Sequence, residues 1–117
     1  MKKPFDIKLR SFEFALSIVK FCKQVQSEKR EFILTKQLIR SGTSVGANIR
    51  EAKNAESDKD FIHKMAIAQK ECDESIYWLE LIKASEGLDK EAVLDDLINE
   101  GSELLTIILN KKRNMKN

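Results

Sequence analysis

Residues 38–51 read LIRSGTSVGANIRE, a run of small and polar side chains inside a longer helical pattern. Gly42 and Gly46 stand four residues apart, so on a helix they share one face. Each glycine inside a helix costs about 0.5–1 kcal/mol relative to alanine, so a compensating contact is expected. Small residues let a neighbouring helix backbone approach closely, whereas Gly/Ser pairs also kink helices. The stretch therefore predicts either a close helix–helix contact or a bend at the centre of the fold.

Apolar residues recur at spacings of three and four on both sides of this stretch, which is the pattern of amphipathic helices. Polar connections divide the pattern into helices over residues 6–26, 30–56, 58–85 and 89–112. No segment alternates at period two for long enough to form a strand. Short connections favour antiparallel packing of neighbouring helices. The sequence predicts one all-α domain over residues 1–117, an antiparallel up-and-down four-helix bundle.

The first helix carries apolar residues on more than one side. Phe14 and Phe21 fall outside its main stripe, and a second apolar side is typically buried against another subunit or a neighbouring helix. Ser27, in the polar connection that follows, is a candidate cap for the second helix. The main stripe, which we expect to face the core, comprises Leu9, Phe12, Ala15, Leu16, Ile18, Val19, Cys22 and Val25.

The composition indicates a soluble helical protein, with 42% hydrophobic and 34% charged residues and a net charge of +2. No apolar run approaches the roughly 20 residues that a membrane-spanning helix needs, and no signal peptide follows the basic N-terminus. We therefore expect a cytoplasmic protein without a membrane partner. In a reducing compartment, Cys22 and Cys72 are expected to be small core residues instead of a disulfide.

Charge is unevenly distributed along the chain. Basic residues outnumber acidic ones in residues 1–30, acidic ones dominate residues 86–108, and the tail from Leu109 carries only basic charge. Such runs are commonly solvated surface, but they could also form one basic patch, where the first helix meets the tail, that binds phosphate. The candidate nucleic-acid contacts are Lys2, Lys3, Lys8, Arg10, Lys20, Lys23, Lys29, Arg30, Lys111, Lys112 and Arg113.

No constellation of residues predicts catalysis. A di-iron site in a helix bundle needs two Glu-x-x-His pairs, and this chain has a single histidine, His63. Cys22 and Cys72 lack partners at zinc-ligand spacing. On a helix, Cys72 and His63 stand roughly 13 Å apart, beyond hydrogen-bonding reach. The sequence therefore predicts no enzyme, no metal and no cofactor.

A polar ridge follows the second helix, because its members are spaced four, four and three residues apart. Glu71 and Glu74 lie within the apolar run of the third helix. The ridge is either partly solvated beside the core, or part of a buried or subunit-interface network in which Arg40 pairs with Glu71 or Glu74. Its members are Arg40, Ser44, Asn48 and Glu51.

Residues 37–82, QLIRSGTSVGANIREAKNAESDKDFIHKMAIAQKECDESIYWLELI, resemble the signature of the four-helix-bundle proteins encoded in intervening sequences of bacterial 23S ribosomal RNA genes. The chain is similar, more distantly, to the accessory variability determinant protein of diversity-generating retroelements. The resemblance implies an up-and-down bundle that assembles into a homopentamer and has a basic surface suited to nucleic acid. It supplies no catalytic residues.

Two functions follow from these observations. The first is a non-catalytic oligomeric protein that binds structured RNA or DNA through basic surface contacts. The alternative is a protein-interaction scaffold for a polymerase or a ribosome-associated partner, without direct contact to nucleic acid. Apolar side chains outside the main stripes favour subunit or partner contacts, while the basic termini favour phosphate.

Overall fold

The computed structural model describes residues 6–115, which form four α-helices and no strand. These helices are α1 (Ile7–Lys29), α2 (Ile33–Lys53), α3 (Asp58–Ser85) and α4 (Glu91–Met115). Consecutive helices pack against each other, and α4 returns to α1 through the sparsest helix–helix contact. The all-α fold and the antiparallel four-helix bundle expected from the periodicity are confirmed.

The connection between α1 and α2 differs from the expectation. α1 continues through Ser27 instead of ending at residue 26, and α2 begins at residue 33 instead of 30. Arg30 ends α1 in the left-handed conformation, with φ of 56°. The Glu31 carboxylate then accepts hydrogen bonds from the first three backbone N–H groups of α2, at 2.9–3.1 Å. This acidic cap, which also complements the positive end of the helix dipole, replaces the predicted Ser27 cap.

Because the helices run antiparallel, each end of the bundle is formed by a different set of helix starts and helix ends. At the lower end α1 and α3 begin and α2 and α4 finish, and at the upper end the reverse holds. Lys64 Nζ lies 2.7 Å from Glu51 Oε1 and joins α3 to α2 near the lower end. Lys90, the residue before α4, has its Nζ 3.3 Å from Glu28 Oε1 of α1 and links the two at the upper end. Side chains distant in sequence are therefore gathered at each end.

The glycine-containing stretch lies within the uninterrupted helix α2 and packs against α1. A Cβ added at Gly46 would lie 3.4 Å from the backbone oxygen of Ser11. One added at Gly42 would lie 2.6 Å from Cδ1 of Ile18, closer than carbon atoms pack. Of the two explanations for these glycines, close approach of a neighbouring helix is the one observed.

The predicted core stripe of α1 is partly wrong. Phe14 and Phe21 are buried, whereas Leu9, Phe12 and Leu16 remain 44%, 54% and 44% exposed. Periodicity alone is a poor guide to which side of α1 is buried, because α1 carries apolar residues around most of its circumference. The packing of α2 and α4 against α1 buries the other side of this helix. The buried apolar residues of α1 are Ile7, Phe14, Ile18, Phe21, Cys22 and Val25.

The outer surface of the bundle carries charged residues and several exposed apolar ones. Tyr77 is exposed, and its ring meets that of Trp78 edge-on at a centroid distance of 5.0 Å. Within residues 6–115, no helix has both the length and the apolarity required to cross a membrane.

Candidate nucleic-acid interface

The lower end of the bundle gathers basic side chains from all four helices, and we call it the basic end. Acidic residues there are fewer, so the local charge balance is positive. The acidic residues are Asp6, Glu51, Glu56, Asp58 and Asp60. The basic residues are Lys8, Arg50, Lys53, Lys59, Lys64, Lys111, Lys112 and Arg113.

Some of these cations are already engaged inside the molecule. Lys64 pairs with Glu51, and Lys112 Nζ donates a 2.6 Å hydrogen bond to Gln69 Oε1. The others form no ion pair with any residue in 6–115: Lys8, Arg50, Lys53, Lys59, Lys111 and Arg113. These are the side chains best placed to contact a phosphate backbone.

Arg10 is not available to phosphate, contrary to the prediction. Its side chain is buried between α1 and α4 and makes hydrogen bonds of 3.1 and 2.8 Å to Glu100 and of 3.0 Å to Glu103. The bond to Glu100 is the main cause of a raised pKa for the Arg10 guanidinium, and the bond to Glu103 adds to it. Antiparallel packing places these carboxylates opposite Arg10. Their distance from Arg10 along the sequence gives no sign of this contact. Arg10 is a structural link between the first and last helices.

The remaining candidates on α1 lie away from the basic end. Since a helix rises 1.5 Å per residue, Lys8 and Lys29 stand roughly 32 Å apart. The single patch expected from the first helix and the tail is therefore divided between the two ends of the bundle. The candidates that lie toward the upper end are Lys20, Lys23, Lys29 and Arg30.

Sequence reasoning missed part of the basic end. Arg50 and Lys53, in the last turn of α2, and Lys59, in the first turn of α3, lie at the same end as the α4 tail. The signal was present, because the predicted antiparallel order already places the end of the second helix beside the end of the fourth. Lys2 and Lys3, which were also predicted contacts, lie outside the described residues.

Arg40 links α2 to α3 within one chain. Its Nη1 lies 3.3 Å from Glu71 Oε1, and its Nη2 pairs with Glu74. Trp78 Nε1 donates a 3.0 Å hydrogen bond to Glu74 Oε2. The hydrogen bonds from Trp78 and then from Arg40 hold the pKa of the Glu74 carboxyl below its ordinary value. The Arg40 side chain is 48% exposed, so this network lies at a partly solvated surface.

The other ridge residues bond mainly to their own helix. Ser44 Oγ donates to the carbonyl of Arg40 at 2.7 Å, and Asn48 Nδ2 donates to the carbonyl of Ser44 at 2.8 Å. Glu51 accepts a hydrogen bond from Lys64 on α3. The ridge therefore combines a partly solvated surface with cross-links between α2 and α3.

The titratable groups of the core are two thiols. Burial is the main reason that the pKa values of Cys22 and Cys72 are each raised to about 12. Cys72 Sγ donates to the carbonyl of Gly101 at 3.2 Å. His63 is exposed, and residues 6–115 contain no group of three or more His, Cys, Asp or Glu side chains arranged to hold a metal ion. At neutral pH these thiols stay protonated and act as small core residues.

Comparison with known proteins places this geometry in a family. A solved structure from Bacteroides thetaiotaomicron VPI-5482, described as a protein of unknown function from the S23 ribosomal protein family, is 42% identical, with a TM-score of 0.86. The match covers 91% of this chain and 97% of that one. No curated protein matches significantly. The model of the family described as 23S rRNA-intervening sequence protein matches residues 3–110. The chain belongs to the family of 23S rRNA-intervening sequence proteins.

Proposed function

We propose that this protein is a non-catalytic, cytoplasmic homo-oligomer that binds structured RNA or DNA through its basic end. The observation that carries the proposal is the convergence of basic side chains from all four helices on the lower end of the bundle. Lys8, Lys111 and Arg113 supply charge there that no carboxylate within residues 6–115 neutralises by an ion pair. Such a surface recognises the phosphate backbone and not base edges.

The expected mechanism is electrostatic. Lysine and arginine side chains displace counterions from the phosphates, so affinity falls steeply as salt rises and depends little on sequence. In an oligomer the basic ends of several subunits act together, and each weak contact gains from the high effective concentration of the next. The homopentamer implied by the resemblance would carry five such ends.

A non-catalytic role agrees with the chemistry of the described side chains. The Cys22 and Cys72 thiols are buried and protonated at neutral pH, so they are poor nucleophiles. Among residues 6–115, the open grooves on either side of α1 contain no nucleophile hydrogen-bonded to a base.

The proposal is tested by fluorescence anisotropy with a structured ribosomal RNA fragment and with duplex DNA, at low and near-physiological salt. Light scattering on the same sample gives the oligomeric state. We expect an oligomer whose affinity for both nucleic acids weakens steeply as salt rises. The absence of binding at low salt would contradict the proposal.

A second candidate function is a scaffold for another polypeptide, such as a polymerase or a ribosome-associated factor. The observation that favours it is the exposure of Leu9, Phe12 and Leu16 on one side of α1. If the protein does not bind nucleic acid at low salt but its assembled form keeps these side chains exposed, the scaffold becomes the better account. Hydrophobic dye binding to the assembled protein measures that exposure.

A further inference from the structure

An open groove lies between α1 and α2 beside the basic end. Its volume is about 440 Å³, which falls within the range of roughly 300–1,000 Å³ that small-molecule sites occupy. Small residues line much of it, namely Ala15, Gly46 and Ala47. These side chains leave room between the two helices for an incoming group. We call this surface the α1–α2 groove.

The Phe12 ring lines the α1–α2 groove and is available for contact. Phe12 is 54% exposed, and within residues 6–115 its ring meets no other aromatic ring and no cationic side chain. Leu9 and Leu16, about one turn to either side on α1, are each 44% exposed and extend the apolar surface along the helix. A contiguous apolar surface of this kind on a soluble protein marks an interaction site.

Two cations lie at the lower end of the groove. Lys8 and Arg50 both line it, and neither forms an ion pair within residues 6–115. A Cβ added at Gly46 would lie 3.4 Å from the backbone oxygen of Ser11, so the antiparallel helices place Arg50, one turn beyond Gly46, near the level of Lys8. Lys8 precedes Phe12 by one turn, roughly 6 Å along the axis. The two charges therefore flank the groove one turn below the aromatic ring.

The acidic residue of the groove does not cancel this charge. Glu51 accepts a 2.7 Å hydrogen bond from Lys64 Nζ, so its negative charge is already offset. Lys8 and Arg50 also belong to the basic end, so the groove is continuous with that surface. Apolar surface alone would suit many partners, whereas an aromatic ring beside a positive rim suits a polyanion that carries flat apolar groups. A nucleic-acid strand has this chemistry.

We propose that the basic end binds unpaired nucleotides, and that one base stacks on Phe12 in the α1–α2 groove. Lys8 and Arg50 hold phosphates of the same strand from the two sides of the groove. Stacking uses the face of the base and not its edge, so it agrees with weak sequence preference. A base inside a duplex is covered on both faces by its neighbours and does not reach the ring. The inference rests on the proposed function and names the preferred ligand as a single strand, loop or bulge over a duplex.

The test compares the wild-type protein with Phe12→Leu, which keeps an apolar side chain at an exposed position but removes the ring. Thermal unfolding verifies that the variant folds as the wild type does. The ligands are a fluorescent single-stranded oligonucleotide and a strand of equal length in which abasic sites replace the bases, so both carry the same phosphates. Anisotropy titrations at low salt give the four affinities.

We expect Phe12→Leu to weaken binding of the normal strand by about fivefold or more, which is the effect of losing one stacked base. Binding of the abasic strand should be unchanged, because only phosphate contacts remain there. The slope of log affinity against log salt should match that of the wild type, since no cation has been removed. A normal strand should also bind the wild type more tightly than a duplex of equal charge.

Two further variants separate the ring from general apolar contact. Phe12→Trp keeps an aromatic ring at this position, so it should bind the normal strand at least as tightly as the wild type does. Tyr77→Leu is the matched control, because Tyr77 is an equally exposed aromatic residue on α3, outside the groove. Its removal should leave all affinities unchanged.

The outcomes separate the stacking site from nucleic-acid binding itself. An unchanged affinity of Phe12→Leu for the normal strand, or an equal loss on the abasic strand, would overturn the stacking site while the proposed function stands. A wild type that binds no nucleic acid at low salt would overturn both. If such a protein instead binds an acidic amphipathic peptide, and Phe12→Leu abolishes that binding, the groove is a docking site for a protein.

Discussion

Arg10 is a charged residue buried where the first and last helices meet. It belongs to a basic N-terminal run, yet in the bundle it ties α1 to α4 through Glu100 and Glu103. Removing one partner of a fully buried ion pair costs about 3–5 kcal/mol, and the partial exposure of Glu103 reduces that figure. We expect Arg10→Met to lower the free energy of unfolding by about 2–3 kcal/mol, measured by urea denaturation. Lys23→Met, at an exposed position of α1, is the control, and equal losses of stability in the two variants would contradict this account.

Glu74 makes a pH-dependent contribution to stability. Its folded pKa lies below the ordinary value of 4.5, because Trp78 and Arg40 stabilise the carboxylate. A depressed carboxyl pKa stabilises the fold above the unfolded value, and that contribution disappears as the pH falls through the folded value. Glu74→Gln should therefore lower the free energy of unfolding by about 0.5–1 kcal/mol at pH 7, since the pair is partly solvated.

Urea titrations at a series of pH values test this linkage. The difference between wild type and Glu74→Gln should shrink as the pH falls below 4.5, because the wild-type carboxyl then becomes protonated. Glu80→Gln, at an exposed position on the same helix, is the matched control for the loss of one carboxylate. A difference for Glu74→Gln that stays constant down to the acid transition would contradict the assignment.

At the scale of elements, the two glycines of α2 should respond in opposite ways to alanine. At Gly46 a Cβ would make an ordinary contact with α1, so Gly46→Ala should raise the free energy of unfolding by about 0.5 kcal/mol through helix propensity. At Gly42 a Cβ would overlap Cδ1 of the fully buried Ile18, so Gly42→Ala should lower it by about 1–2 kcal/mol. Thermal and urea unfolding measure both changes.

A second substitution tests the steric origin of the Gly42 effect. Valine at position 18 lacks the Cδ1 atom that the new Cβ would meet, so Ile18→Val should cost less in the Gly42→Ala background than in the wild type. Strictly additive effects of the two substitutions would show that the destabilisation has another cause.

The helices were predictable from sequence, while the face that α1 buries was not. Spacings of three and four residues identify all four helices, and Asp6 and Ser57 mark two of their starts. Around α1, however, apolar residues extend beyond one stripe, so periodicity alone could not choose between the side with Phe12 and the side with Phe14. That choice depends on where α2 and α4 pack, which is tertiary information. The same limit applies to Arg10, whose partners are about 90 residues away along the chain.

At the scale of the whole molecule, the antiparallel order of the helices concentrates basic charge at one end of a nearly neutral chain. The net charge is only +2, but antiparallel order brings the basic tail of α4 beside Lys8 and beside the last turn of α2. Composition and helix order were enough to predict that the tail and Lys8 lie at the same end of the bundle. Arg50 and Lys53 became evident only once the order of the helices was combined with the charge of each end.

The central claim, that nucleic acid is bound at the basic end, is tested most directly by charge reversal at each end of the bundle. Lys111→Glu/Arg113→Glu alters the basic end, and Lys23→Glu/Lys29→Glu makes the same change in net charge at positions toward the upper end. Anisotropy titrations with a structured RNA, over a range of salt concentrations, measure affinity and its salt dependence.

We predict that the reversal at the basic end weakens binding at least tenfold and lowers the slope of log affinity against log salt by about 1 for each phosphate that the protein no longer neutralises. The reversal toward the upper end should have a much smaller effect. Equal weakening in the two variants, or an unchanged affinity after reversal at Lys111 and Arg113, would contradict the account.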